Sequence, residues 1–163
     1  MGLQFKTILW QQFGATIDML ENALIACPDE LWNAQSQFWY MGYHTLFYLD
    51  CYLSDAPDNF LPPAPFTLSE LDPADPMPDS VYSKEQLLSY LEFSRQKCHD
   101  LIAGLTAEKA AKRFVNEYRN YGILEILLYN MRHVQHHVAQ LNLLLRQVTN
   151  DAPKWVSRAR LEL

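Results

Sequence analysis

No stretch of this 163-residue chain concentrates lysine and arginine, and the formal net charge is −6. It therefore lacks the basic track along which a nucleic-acid backbone binds. No apolar run approaches the roughly twenty residues that cross a bilayer; the longest, from Phe38 to Leu49, is about twelve. The opening residues MGLQFKTILWQQFG do not make a signal peptide, because Gln11 and Gln12 break the apolar run and no cleavage-type segment follows. Cysteine is scarce as well: Cys27, Cys51 and Cys98 form an odd set with no CxxC pair, which implies neither a disulfide framework nor a cysteine zinc site. They read as free thiols in the core. These absences predict a soluble, cytoplasmic protein with no nucleic-acid and no membrane partner.

What the chain does have is 49% hydrophobic residues against 20% charged, the composition of a globular protein, and a length suited to a single domain over residues 1–163. Four long segments carry the helical period and none convincingly carries the strand period of two. The first runs from about Leu3 to Ala26, with Leu9, Phe13, Ile17, Leu20 and Leu24 on one face and Pro28 ending it. The second, about Gln37 to Ser54, is apolar nearly all round, as expected of a helix enclosed on most sides. From Asp55 to Tyr82 seven prolines forbid continuous helix; a connection of this length is a lid over a site or a crossover between helices. Ser83 and Gln86 form a capping-box signature for a third helix ending near Gly104. A short helical piece over Thr106–Arg113 precedes the last long helix, about Tyr121 to Thr149. The expected fold is all-α, a four-helix bundle with one long proline-rich connection between the second and third helices, an architecture that places metal sites on facing helices.

The last helix carries RHVQHHVAQLNLLLRQ. At 100° per residue, Ile123, Ile126, Leu127, Leu141, Leu144, Leu145 and Val148 form an apolar stripe whose centre falls between His133 and His137, while His136 projects about 120° away, toward a flank or the surface. Histidines four apart stand one turn above each other, close enough for two imidazoles to converge on one ion. The alternative is that each ring bonds a buried carbonyl or a tyrosine. His44 is the ionisable group at the middle of the most apolar helix. Three inward histidines on two helices have the composition of a three-nitrogen divalent-metal site with an open coordination position.

Tyr48, one turn after His44, is placed to donate a hydrogen bond to substrate or to a water on the metal, or simply to pack. Cys51 lies about 10 Å along the axis from His44, outside coordination range. Asn130, three positions before His133, is placed to orient a ligand ring. His99 has no partner at ligand spacing and reads as a solvated or capping residue. HxxxH lacks the Glu that follows the first His in HExxH hydrolases, that position being Val134 here. A general base would have to come from Asp50, Glu125 or the proline-rich connection.

The block HVQHHVAQLNLLLRQ, an upstream histidine in the second helix and the connection PFTLSELDPADPMPDSVYSKEQLLSYLE together resemble the DinB/YfiT-like superfamily. The likeness spans essentially the whole chain, and the last-helix block is its most specific part. It implies an up-down-down-up four-helix bundle, often a homodimer, holding zinc, nickel or another divalent ion on three histidines, here His44, His133 and His137, with His136 a non-ligand. The chain departs from the common HHRGQ wording at Val138 and Ala139, so any role of that arginine is inapplicable. Relatives transfer low-molecular-weight thiols such as mycothiol or bacillithiol to electrophiles, isomerise maleylpyruvate with such a thiol, or are proposed hydrolases. The resemblance thus implies a small-molecule substrate and thiol transfer, with metal-dependent hydrolysis or a non-catalytic, metal-stiffened bundle as alternatives.

Overall fold

The computed structural model describes residues 2–74 and 76–163. It is mostly helical, and each helix end has a local cause. Helix α1 (Leu3–Ala26) stops before Pro28, and a single turn, α2 (Asp29–Trp32), follows that proline. Helix α3 (Phe38–Cys51) is shorter than the apolar pattern predicts, because Gln37 takes a left-handed backbone (φ 50°) before the first turn and Tyr52 leads directly into a turn. Helix α4 (Lys84–Ala103) opens on the expected capping box: the Gln86 N–H donates to Ser83 Oγ at 3.2 Å and the Ser83 N–H to Gln86 Oε1 at 2.7 Å. The predicted helical piece over Thr106–Arg113 is only one turn, α5 (Ala107–Ala110), capped by Thr106. Helix α6 (Ile123–Thr149) closes on Asn150 in the left-handed region (φ 58°).

The expectation that no segment is a strand is corrected by a two-stranded antiparallel hairpin, β1 (Arg113–Val115) against β2 (Asn120–Gly122), with Phe114 opposite Tyr121. Three-residue strands are too short to show a period, but Asn116 marks their turn. Its side-chain oxygen accepts the backbone N–H groups of Tyr118 and Arg119, at 3.1 and 2.8 Å. Phe114 is buried beneath it with Tyr52 and Ile126.

Each of the four long helices packs on two others: α1 and α3 both lie against α4 and against α6. Their shared core includes Phe13, Ile17, Leu20, Phe38, Leu46, Leu91, Val134, Val138 and Leu141, each fully buried chain of this kind contributing about 1.5–3 kcal/mol. Close approach is needed at Gly42, where a Cβ would meet Leu24 Cδ2 at 2.8 Å. Cys27, Cys51 and Cys98 are free and buried, as expected, and burial raises the thiols of Cys27 and Cys51 to about 11. No helix among the described residues is long and apolar enough to cross a membrane.

Two charge clusters, each built on a buried aspartate, brace this frame. Arg95 reaches Asp18 (3.3 Å), Glu21 (2.9 Å) and Glu92 (3.5 Å), and Arg160 from the C-terminal segment joins at Glu21 (3.0 Å). That segment lies along α1: the Ala159 N–H donates to the Gln11 carbonyl, Trp10 Nε1–H to the Leu161 carbonyl, and the Arg160 N–H to Asp18. In the second cluster Asp50 accepts from Lys97 Nζ at 2.5 Å and from the Tyr90 hydroxyl at 3.0 Å.

The proline-rich connection from α3 to α4 contains two short 3₁₀ turns, Pro57–Asn59 and Ser69–Leu71. It is held down by aromatic side chains: the Tyr43 hydroxyl donates to the Thr67 carbonyl at 2.8 Å, and Phe66 stacks on Tyr43 and Tyr90. The second 3₁₀ turn comes to rest beside His44.

Candidate metal centre

His44 projects from the middle of α3, and His133 and His137 project from successive turns of α6. One ring nitrogen from each lies within 4.8 Å of the others, a grouping that can hold a metal ion. The ring centroids stand 4.6 Å apart for His133 and His137, 4.8 Å for His44 and His137, and 5.4 Å for His44 and His133. All three are partly buried rather than enclosed. This refines the helical projection. The fully buried line of α6 is Asn130, Val134, Val138, Leu141 and Leu145, with the two histidines on its flank toward α3. Val148, assigned to the stripe by the projection, is 61% exposed. His136 is exposed, with its ring 5.1 Å from that of His137.

The hydrogen bonds around the rings decide where their lone pairs point. Glu70 Oε2 lies 2.6 Å from His44 Nδ1; a carboxylate accepts, so Nδ1 carries a proton, and in the neutral ring the lone pair is on Nε2. Gln140 Oε1 plays the same part for His137 Nδ1 at 2.8 Å. His133 turns its Nε2 to within 3.4 Å of His44 Nε2. Two nitrogens bound to one tetrahedral ion at about 2.05 Å would be separated by about 3.3 Å, so the spacing fits. A carboxylate or amide behind a ligating imidazole is the arrangement that fixes tautomer and ring orientation in metal sites. His133 Nδ1 is buried with no partner among the described residues, whether Nε2 binds an ion or donates to His44, so this ring, unlike the other two, has no group behind it.

Burial lowers the pKa of His133 to about 3, with His137 and His44 adding to the effect; burial, then His44, lowers that of His137 to about 4. Both rings are thus neutral near pH 7, the form that binds metal.

Glu70, in the proline-rich connection named as a possible source of a base, is the residue beside the rings that the sequence pattern did not single out. Its side chain is 4% exposed, and its second oxygen, Oε1, is buried without a hydrogen-bond partner among the described residues. A glutamate in a connection without period, 26 residues from His44, leaves no spacing signal. The other acids considered as bases lie elsewhere: Asp50 is occupied by Lys97 and Tyr90, and Glu125 is exposed in the first turn of α6.

Tyr48 stacks edge-on against His44 and His133, and its hydroxyl donates to the Glu70 carbonyl at 2.8 Å, so it pins the loop that carries the acid. Asn130, expected to orient a ligand ring, instead donates to the Leu49 carbonyl at 2.9 Å and ties α6 to α3. His99, expected to be solvated or capping, rests edge-on against Trp10 and bonds the Glu162 carbonyl at 3.2 Å. Cys51 lines the cavity wall but is outside the group of ligand nitrogens.

A cavity of about 380 Å³ opens beside the three rings, walled by Tyr48, Tyr52, Tyr129 and Arg119 and by Glu70 to Pro73 of the loop. A separate hollow of about 590 Å³, beside Lys97, Asp100 and Lys112, contains no grouping of metal-ligand side chains among the described residues.

Among known proteins, the family model of the DinB superfamily matches residues 12–141, well over half of the chain. No curated protein and no solved structure matches it.

Proposed function

The chain belongs to the DinB superfamily, and on that premise we propose that it is a divalent-metal-dependent enzyme that transfers a small thiol to an electrophilic substrate. The observation that carries the metal reading is the 3.4 Å separation of His44 Nε2 and His133 Nε2, with Glu70 and Gln140 holding the opposite nitrogens of His44 and His137. His44, His133 and His137 would hold the ion, zinc or nickel. When bound, a divalent ion supplies Lewis acidity that lowers the pKa of a thiol or water beside it. In the transfer itself the S–H proton is lost to solvent, sulfur forms a bond to carbon, and the leaving group departs with the bonding electron pair.

The chain's own residues favour that reaction in two ways. Tyr48 spends its hydroxyl proton on the Glu70 carbonyl, which supports an open coordination position rather than one closed by a phenol. The cavity of about 380 Å³ gives a small molecule access to the three rings. A thiol, with an ordinary pKa of about 8.5, needs little further help to ionise near pH 7, and Glu70 is already committed to His44 through Oε2.

Hydrolysis is the second reading, because a divalent ion on the same three histidines would equally lower the pKa of a water beside it. We further read the helices as a single domain in the up-down-down-up bundle, acting in the cytoplasm on a small molecule, as a homodimer, without nucleic-acid or membrane partners.

The test is metal content after purification without added metal, for the natural chain and for His44→Ala/His133→Ala/His137→Ala. Near-stoichiometric metal in the first and little in the second is expected; equal, near-zero content in both would overturn the metal reading. A panel of small thiols against a generic electrophile then separates enzyme from scaffold. Metal-dependent turnover is expected, and its absence would favour the non-catalytic bundle.

A further inference from the structure

The cavity holds a cation that the metal site does not use. Arg119 ends the hairpin turn, where its backbone N–H bonds Asn116 Oδ1 at 2.8 Å and the Asn116 N–H returns to its carbonyl at 2.9 Å. Its guanidinium lies over two tyrosine rings, 5.1 Å from the centroid of Tyr52 and 5.1 Å from that of Tyr129, and donates through Nη2 to the Tyr129 hydroxyl at 3.0 Å. The rings fix the plane of the fork, so little freedom remains to be lost when a ligand docks. Only one of its five N–H donors has a side-chain partner among the described residues, and it forms no ion pair with any acid there. Asp72, on the same cavity, accepts instead from the Ala74 N–H at 2.8 Å.

The position of this fork relative to the histidines sets the size of what it can hold. Tyr52 contacts both: its ring centroid is 6.0 Å from that of His133, and the Arg119 guanidinium carbon is 5.1 Å from it. The guanidinium carbon and the His133 ring are therefore at most about 11 Å apart, within reach of the two ends of one small molecule.

We propose that Arg119 is an anion subsite that receives the carboxylate of a small organic acid, presenting the acid's other end to His44, His133 and His137. A planar carboxylate matches the guanidinium fork in two parallel N–H···O bonds, and the tyrosine walls of the cavity accommodate a carbon chain of three to five atoms. This rests on the reading of the three histidines as the reaction centre, but the subsite itself needs no metal. Either the thiol or the electrophile can bring the carboxylate.

The first measurement uses metal-free protein labelled with nitrogen-15, following the Arg119 Nε–H resonance, which is identified by its disappearance in Arg119→Lys. Titration with propionate is expected to shift it saturably, and 1-propanol is not. No saturable shift with propionate overturns the subsite, whatever the metal analysis gives. The second uses zinc-loaded protein and calorimetry. If the thiol carries the carboxylate, 3-mercaptopropionate binds about tenfold more tightly than 2-mercaptoethanol, and Arg119→Gln removes that preference while leaving 2-mercaptoethanol binding unchanged. If the electrophile carries it, the two thiols bind alike, and propionate still shifts the Arg119 resonance with 2-mercaptoethanol present. A preference for 3-mercaptopropionate that survives in both Arg119→Gln and Arg119→Lys overturns the assignment. Failure of both zinc and nickel to bind would end the metal reading while leaving the propionate result to stand on its own.

Discussion

Glu70 Oε2 lies 2.6 Å from His44 Nδ1, so an acid from the proline-rich connection sets the proton position on a histidine of the second long helix. The bond joins α3 to a segment also held by the Tyr43 and Tyr48 hydroxyls on its main chain and by Phe66 stacked on Tyr43 and Tyr90. Because the carboxylate is almost fully buried, its bond to the imidazole is strong, and loss of the charge is felt at the ring's other nitrogen.

Glu70→Gln is expected to lower zinc affinity by about 10- to 100-fold while the helix content stays the same. Competition with a chromogenic chelator measures the first, circular dichroism the second. An unchanged affinity would show that Glu70 does not tune the ligand.

Acid should weaken the metal-free protein over a defined window. His133 and His137 have an ordinary pKa of 6.5 and are lowered by burial to about 3 and about 4. Between those limits the unfolded chain takes up the protons and the native chain does not. Stability is therefore complete above about pH 6.5 and declines as pH falls toward about 4 for the His137 share and about 3 for the His133 share. Urea titrations at pH 7 and pH 5 are expected to show a loss that shrinks in His133→Gln/His137→Gln; equal losses in both proteins would contradict neutral, buried rings.

Lys97→Met should cost about 3 kcal/mol, because it leaves the carboxylate of Asp50, 1% exposed, with only the Tyr90 hydroxyl. Zinc content per folded molecule is expected to stay as it was. Loss of zinc without loss of stability would instead place the Asp50 cluster in the metal site.

Gly14→Ala places a Cβ 2.6 Å from that of Ala159, where the C-terminal segment crosses α1. The expected destabilisation is about 1–3 kcal/mol, with faster tryptic cleavage at Arg158 and Arg160 as the segment lifts. A cleavage rate equal to that of the natural chain would show that the segment adjusts without detaching.

The long helices and the histidine set are legible because both depend on short, regular spacing. In α6 His133, His137 and the buried Val134, Val138, Leu141 and Leu145 repeat at three and four residues. The Ser83 and Gln86 capping box is equally local. The projection errs at Val148 because averaging hydrophobicity around an ideal helix ignores how far along α6 its neighbours extend. Glu70 and Arg119 are not legible: each reaches the cavity through a turn whose direction depends on distant anchors, Tyr43 and Tyr48 for the first, Tyr52 and Tyr129 for the second. The hairpin that carries Arg119 is hidden for a related reason, since three-residue strands give alternation too little length to register.

Tyr43 and Tyr48 grip the proline-rich connection by the carbonyl oxygens of Thr67 and Glu70, groups that every residue type possesses. Apart from the buried Phe60, Phe66 and Tyr82, the identity of the exposed side chains along that stretch is thereby uncoupled from its docking, and among its described residues Glu70 is the one that bonds His44. Such a loop can exchange residues along the cavity rim, and with them the shape of the molecules admitted, while the three imidazoles and their tautomers stay as they are. The same frame can acquire a different substrate through substitutions outside its helices.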